Sequence, residues 1–167
     1  MLNFVKKKIF LNLIFLTVIF IIDRLSKILI INLSNNYEQL EYPVTSFLNL
    51  NLVWNDGIAF GLLSFEENFI YNLISIIIFI IIVILSVMLI NSQDLKRLAL
   101  LLVLGGALGN FFDRLYYSAV PDFIDFHFRG FHWFIFNVAD IFITIGVFCL
   151  IYVELFNNKD ELNDKNF

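Results

Sequence analysis

One cysteine, two prolines and seven glycines among 167 residues remove several protein classes at once. The lone Cys149 excludes an internal disulfide and any cysteine-based metal site. So little glycine and proline, beside 21 phenylalanines, excludes a collagen-like chain or a disordered linker. Charge is scarce too: 16% of residues are Asp, Glu, Lys or Arg, against about 25% in soluble domains. That is too few to coat a water-facing globule of this size. Eleven basic against fifteen acidic residues, a net charge of -4, leaves no basic surplus for phosphates, so nucleic acid is not an expected partner.

What fills the chain is apolar: 60% of residues are hydrophobic and 17% aromatic, with a mean hydropathy of +0.84. The class these numbers imply is an integral membrane protein, short enough for a single domain over residues 1–167. Four apolar stretches stand out, at residues 9–33, 69–90, 98–117 and 133–156, followed by a polar tail at 157–167. A hydrocarbon core of about 30 Å needs about 20 helical residues at about 1.5 Å each. All four stretches reach that length, the third by continuing past Asp113. No period-two alternation marks them, which favours helices over a barrel. The expected fold is therefore an all-α membrane protein of four transmembrane helices with a small β-hairpin or sheet segment on the outer side. Lys6, Lys7 and Lys8 before an apolar run resemble a cleaved leader. The run continues as Asp23-Arg24-Leu25-Ser26-Lys27 with no small-residue cleavage site, so it reads as a retained helix.

Orientation follows from where the basic residues sit. Three lysines open the chain, and Lys96 and Arg97 lie in the link between the second and third stretches. Residues 34–68 carry no Lys or Arg but do carry Glu38, Glu41, Asp56, Glu66 and Glu67. Both termini should then be cytoplasmic, with residues 34–68 and 115–132 outside. Within 34–68, the alternation of residues 47–52 reads as a strand, Trp54-Asn55-Asp56-Gly57 as a turn and residues 58–61 as a returning strand.

An ionisable residue inside a span costs about 2.5 kcal/mol or more, so each needs a reason. Counted along their helices, Asp23 lies ~21 Å up from the cytoplasmic end and Asp113 ~22 Å up, while Asp140 lies ~10 Å below the outer edge. These heights agree, and Asp122 and Asp125 lie just above. Gly105, Gly106 and Gly109 thin the third helix for close approach. Asn110, Asp113 and Arg114 share one of its faces, Asn137 and Asp140 share a face of the fourth, and Asp23 can pair with Lys27 four residues on. Two carboxylates held together share a proton, and such a pair can activate water and protonate a leaving amine. The same residues also fit structural ion pairs, a small proton or ion transporter built on buried Asp/Lys pairs, or a scaffold. Spacing alone does not separate Asp122 from Asp113 or Asp125. His127 and His132 lie in an aromatic run, Phe123 to Phe134, that reads as an interfacial belt and holds no zinc-type spacing.

Together the fragments Asp23-Arg24-Leu25-Ser26-Lys27, Asn55-Asp56-Gly57-Ile58-Ala59-Phe60, Gly105 through Arg114, Asp122-Phe123 and Phe136-Asn137-Val138-Ala139-Asp140 resemble the lipoprotein signal peptidases, the bacterial intramembrane aspartic peptidases. The likeness covers nearly all of the chain except the polar tail. It departs from the family pattern at Pro121, where valine is common. It implies that Asp122 and Asp140 form a catalytic dyad and that no metal or organic cofactor takes part. It further implies that Asn110, Arg114 and Asn137 orient the dyad or the substrate backbone, and that Asp23, Lys27, Asn55, Gly57, Ala59 and Gly106 shape the pocket. The implied substrate is a prolipoprotein carrying diacylglycerol on its cysteine, cut just before that cysteine in the bacterial inner membrane. Apart from that resemblance, a monomer among membrane lipid is the expected state.

Overall fold

The computed structural model describes residues 2–35, 41–56 and 67–164. The long apolar runs fold as helices: α1 (Leu2–Ser34), α2 (Glu67–Asn91), α3 (Asp94–Tyr117) and α4 (Val138–Asp164). Among the described residues three are long and apolar enough to cross a membrane, over Tyr71–Asn91, Asp94–Tyr117 and Val138–Phe156. Between the helices lie four strands, β1 (Glu41–Thr45), β2 (Leu48–Asn55), β3 (Val120–Phe128) and β4 (Phe131–Phe136). They form one antiparallel sheet in the order β1-β2-β3-β4.

Helix α3 is the centre of the bundle and packs against α1, α2 and α4. Lipid tails are as apolar as leucine, so helices in a membrane associate through close packing, and the glycines supply it. A Cβ on Gly106 would stand 2.5 Å from the Ala139 carbonyl oxygen, and one on Gly109 would stand 2.5 Å from Asp23 Oδ2. These contacts bring the first turn of α4 and the middle of α1 onto the same stretch of α3. Below them Leu100, Leu101 and Leu104 pack with Ile82, Leu85 and Leu89 of α2. At the opposite end of the bundle the sheet closes over the helices, with Ile30 and Phe123 buried against Leu50, Leu52 and Val138.

Several expectations change here. The fold is mostly helical, and the expected outer β segment is a four-stranded antiparallel sheet. Residues 133–136 belong to β4, so the fourth helix starts at Val138 and Asp140 lies in its first turn, not ~10 Å down a helix from Trp133. α4 also runs to Asp164, past the 156/157 boundary assigned to a polar tail. The aromatic run is a β-hairpin in which Phe123 is buried, while Phe128, Phe131, Trp133 and Phe134 are exposed. Trp54 and Asn55 continue β2 instead of turning, and its partners are β1 and β3. The expected strand at 58–61 lies outside the described residues.

Candidate active site

Asp140 is fixed by the way α4 begins. Asn137 precedes the helix, and its Oδ1 accepts the Asp140 N–H at 3.2 Å, while Asp140 Oδ2 accepts the Asn137 N–H at 3.0 Å. This reciprocal arrangement satisfies donors that a helix start leaves without intrahelical partners. It also leaves the Asn137 amide nitrogen free to reach elsewhere, and it donates to Asp122 Oδ1 at 2.6 Å. Asp122 comes from β3, where it pairs with Val53 of β2, and Asn55 at the end of β2 donates to Asp122 Oδ2 at 2.9 Å. One asparagine thus bonds both carboxylates.

A second group of residues holds Asp140 from below. Asn110 of α3 donates to Asp140 Oδ1 at 2.8 Å and accepts from Lys27 Nζ at 2.8 Å. Lys27 is fully buried and also donates to Asp23 Oδ2 at 2.8 Å and Asp113 Oδ2 at 2.6 Å. Asp113 forms a further ion pair with Arg24, whose guanidinium lies 5.0 Å from the centre of the Phe112 ring. Asp23 Oδ1 accepts the backbone N–H of Ala139 at 3.0 Å. The lysine is the hub that joins α1, α3 and the start of α4. Buried carboxylates without such a partner would carry a large desolvation cost.

Asp122 and Asp140 therefore occupy one network with Asn55, Asn110, Asn137, Asp23 and Lys27, and Gly106 makes room for the turn that carries Asp140. Burial pushes the Asp122 carboxyl above the ordinary aspartate range; the amides of Asn55 and Asn137 oppose this and the neighbouring Asp140 adds to it. A groove of about 410 Å³ opens beside Asp140, lined by Trp133, Phe134, Phe136, Ile141, Thr144 and Ile145. Two of the anticipated residues, Gly57 and Ala59, lie outside the described residues. Arg114 is placed apart from the hydrogen bonds of the two carboxylates. Its carbonyl accepts from the Tyr71 hydroxyl, and its Nε and Nη1 are buried with no hydrogen-bond partner among the described residues. Asp125, the nearest rival of Asp122, faces His132 at 2.9 Å. Tyr71 was not anticipated, nor was the clamp at the far end, where Arg97 bonds Asn12 and Lys8 donates to the Ser92 carbonyl at 2.9 Å. No local spacing signals either of them.

The family model for signal peptidase (SPase) II matches residues 15–156. The chain belongs to the signal peptidase II family. A lipoprotein signal peptidase of Pelagibacter ubique (strain HTCC1062) is 53% identical over 160 residues, covering 96% of each chain. One from Coxiella burnetii (strain RSA 331 / Henzerling II) is 41% identical over 142 residues, 82% of this chain and 85% of that one. A solved bacterial membrane enzyme, determined by the in meso method at 1.9 Å, superimposes with a TM-score of 0.73 at 31% identity, covering 87% of this chain and 93% of that one. The family resemblance read from the sequence is thus borne out, and with it membership of a group of membrane-bound hydrolases.

Proposed function

We propose that this signal peptidase II cuts diacylglyceryl-modified prolipoproteins just before the modified cysteine, with Asp122 and Asp140 as its catalytic pair. The observation that carries the assignment is Asn137, which donates to both carboxylates, from its side chain to Asp122 and from its backbone to Asp140. Two acids this closely tied share one proton, and the pair is described by its joint titration. One carboxylate takes a proton from water while the protonated partner hydrogen-bonds the scissile carbonyl. The hydroxide equivalent adds to the carbonyl carbon, and a proton passes to the amide nitrogen. The C–N bond then breaks, leaving the signal peptide with a new carboxyl group and the lipoprotein with a free cysteine amine. The apolar groove beside Asp140 suits a membrane-embedded signal segment.

The same reading treats residues 1–167 as one domain, monomeric and in contact with lipid, crossing the inner membrane four times. α1 counts as the fourth span because it exposes Ile9, Phe10, Leu13, Ile14, Val18, Ile21 and Ile22 along its side. Cytoplasmic termini are supported by Lys8 meeting Ser92, which gathers the basic start of α1 and the Lys96-Arg97 link at one end of the bundle. The sheet and the two aspartates then lie toward the outer face, where water has a short path. The transporter alternative is not favoured by the family, and Lys27 is held by three oxygen partners at once.

The test is cleavage by the purified full chain of two synthetic precursors that differ only in the diacylglyceryl group. The lipidated one should yield a product beginning at the modified cysteine, with the other cut far more slowly. Equal cleavage of both, or cutting elsewhere, would overturn the substrate assignment.

A further inference from the structure

On the β3–β4 hairpin, the catalytic proposal leaves three side chains unused. His127 and His132 are paired across the two strands, and Asp125 lies two residues before His127, with a register shift between them. Residues two apart along a strand point to the same side. The structure makes the three converge: one ligand atom from each of Asp125, His127 and His132 lies within 4.8 Å of the others. His132 Nδ1 stands 3.0 Å from Asp125 Oδ1 and 2.9 Å from Oδ2, and the two imidazoles are 5.3 Å apart at 25°.

We propose that Asp125, His127 and His132 form a binding site for one Zn²⁺ ion, bridging β3 and β4. The donor set is two imidazoles and a carboxylate, a combination zinc accepts at about 2.0–2.2 Å with a fourth position left to solvent. Tetrahedral ligands at those lengths stand about 3.3 Å from one another, so the Asp125–His132 spacing already suits a shared ion and His127 has only to close on it. Two observations make the cluster more than a surface pairing. The Asp125 side chain is 2% exposed, yet its ion-pair partner is a histidine and not a Lys or Arg. His127 Nδ1 is buried with no hydrogen-bond partner among the described residues, so no protein bond at that atom holds the ring in another orientation. A divalent cation would neutralise the first and give the second ring a role. The site is separate from the network around Asp122 and Asp140, because Asp125 bonds only His132 among the hydrogen bonds described above.

The experiment is a zinc titration of the full chain, purified in detergent and stripped with a chelator, read by calorimetry. One Zn²⁺ per chain is expected, with affinity lowered at least about tenfold in each of Asp125→Asn, His127→Gln and His132→Gln. Co²⁺ in the same site should give the intense visible bands of a four-coordinate centre, lost in the variants. Precursor cleavage by the metal-free variants shows that they are folded. His132→Gln changes a half-exposed side chain at the sheet edge and carries the test by itself if the others do not fold. Zinc uptake no greater than in the triple variant, or undiminished affinity in His132→Gln, would overturn the site. Neither result depends on which residues cut the precursor.

Discussion

Replacing Asn137 by alanine removes two bonds and keeps a third. The Nδ2 bond to Asp122 and the Oδ1 bond from the Asp140 N–H are lost, while the backbone N–H of residue 137 still reaches Asp140. A hydrogen bond to a charged group is worth about 1.5–3 kcal/mol, and an asparagine cap replaced by alanine costs about 0.5–2 kcal/mol. The variant should therefore lose about 2–5 kcal/mol of stability. The two contributions separate with Asn137→Ser, which restores a capping oxygen but no amide donor, and Asn137→Asp, which restores the cap and adds a negative charge beside Asp122. In unfolding measurements in detergent, serine should recover about 1 kcal/mol relative to alanine, while aspartate should not, because its buried charge lies beside the Asp122 carboxylate. In cleavage assays, all three should fall in kcat/KM by about 10- to 150-fold, the rate equivalent of the lost charged bond at about 1.4 kcal/mol per tenfold, with aspartate the slowest. An Asn137→Asp enzyme as active as the parent, or serine no more stable than alanine, would refute the double role of this residue.

Three further outcomes follow from the same geometry. Lys27→Met leaves the buried Asp23 without a cation and Asp113 with Arg24 alone, and should cost about 3–5 kcal/mol in unfolding experiments; adding Asp23→Asn should recover part of it. Gly106→Ala forces a methyl group to within 2.5 Å of the Ala139 carbonyl oxygen, for about 1–3 kcal/mol of overpacking and slower cleavage, since that turn carries Asp140. Burial raises the Asp122 carboxyl in the folded chain, so the stability it contributes is complete below the ordinary aspartate value and is lost as pH rises through the folded one. The melting temperature of the parent relative to Asp122→Asn should fall across that interval, and parallel pH curves would contradict it.

The helices were legible because lipid demands long apolar runs, and the pairing of Asp23 with Lys27 because helical spacing sets it. β4 was not. Trp133 to Phe136 is apolar throughout, and a short apolar run joined to a longer one gives no periodicity to tell strand from helix. The stop at Asn137 is visible only through its bonds to Asp140. The turn at Arg129 and Gly130, both with positive φ, is the type that tight hairpins need, but Arg-Gly is a weaker signal for it than Asn-Gly. β1 contains Pro43, which confines it to the sheet edge where it lies. At the site, the family fragments singled out Asp122, while its bond to Asn55, 67 residues away in sequence, depends on the β2–β3 pairing. The convergence of Asp125, His127 and His132 arises from the hairpin register, which the sequence spacing of the histidines does not display.

The most direct measurement of the central claim is a comparison of cleavage rates for Asp122→Asn, Asp140→Asn and the double variant on one lipidated precursor, with Asp125→Asn as the control carboxylate. Two acids working as one unit are strongly non-additive, so each single variant should drop to the floor set by the double variant, while Asp125→Asn cleaves near the parental rate. A single variant that still cleaves, with losses that multiply in the double variant, would contradict the dyad.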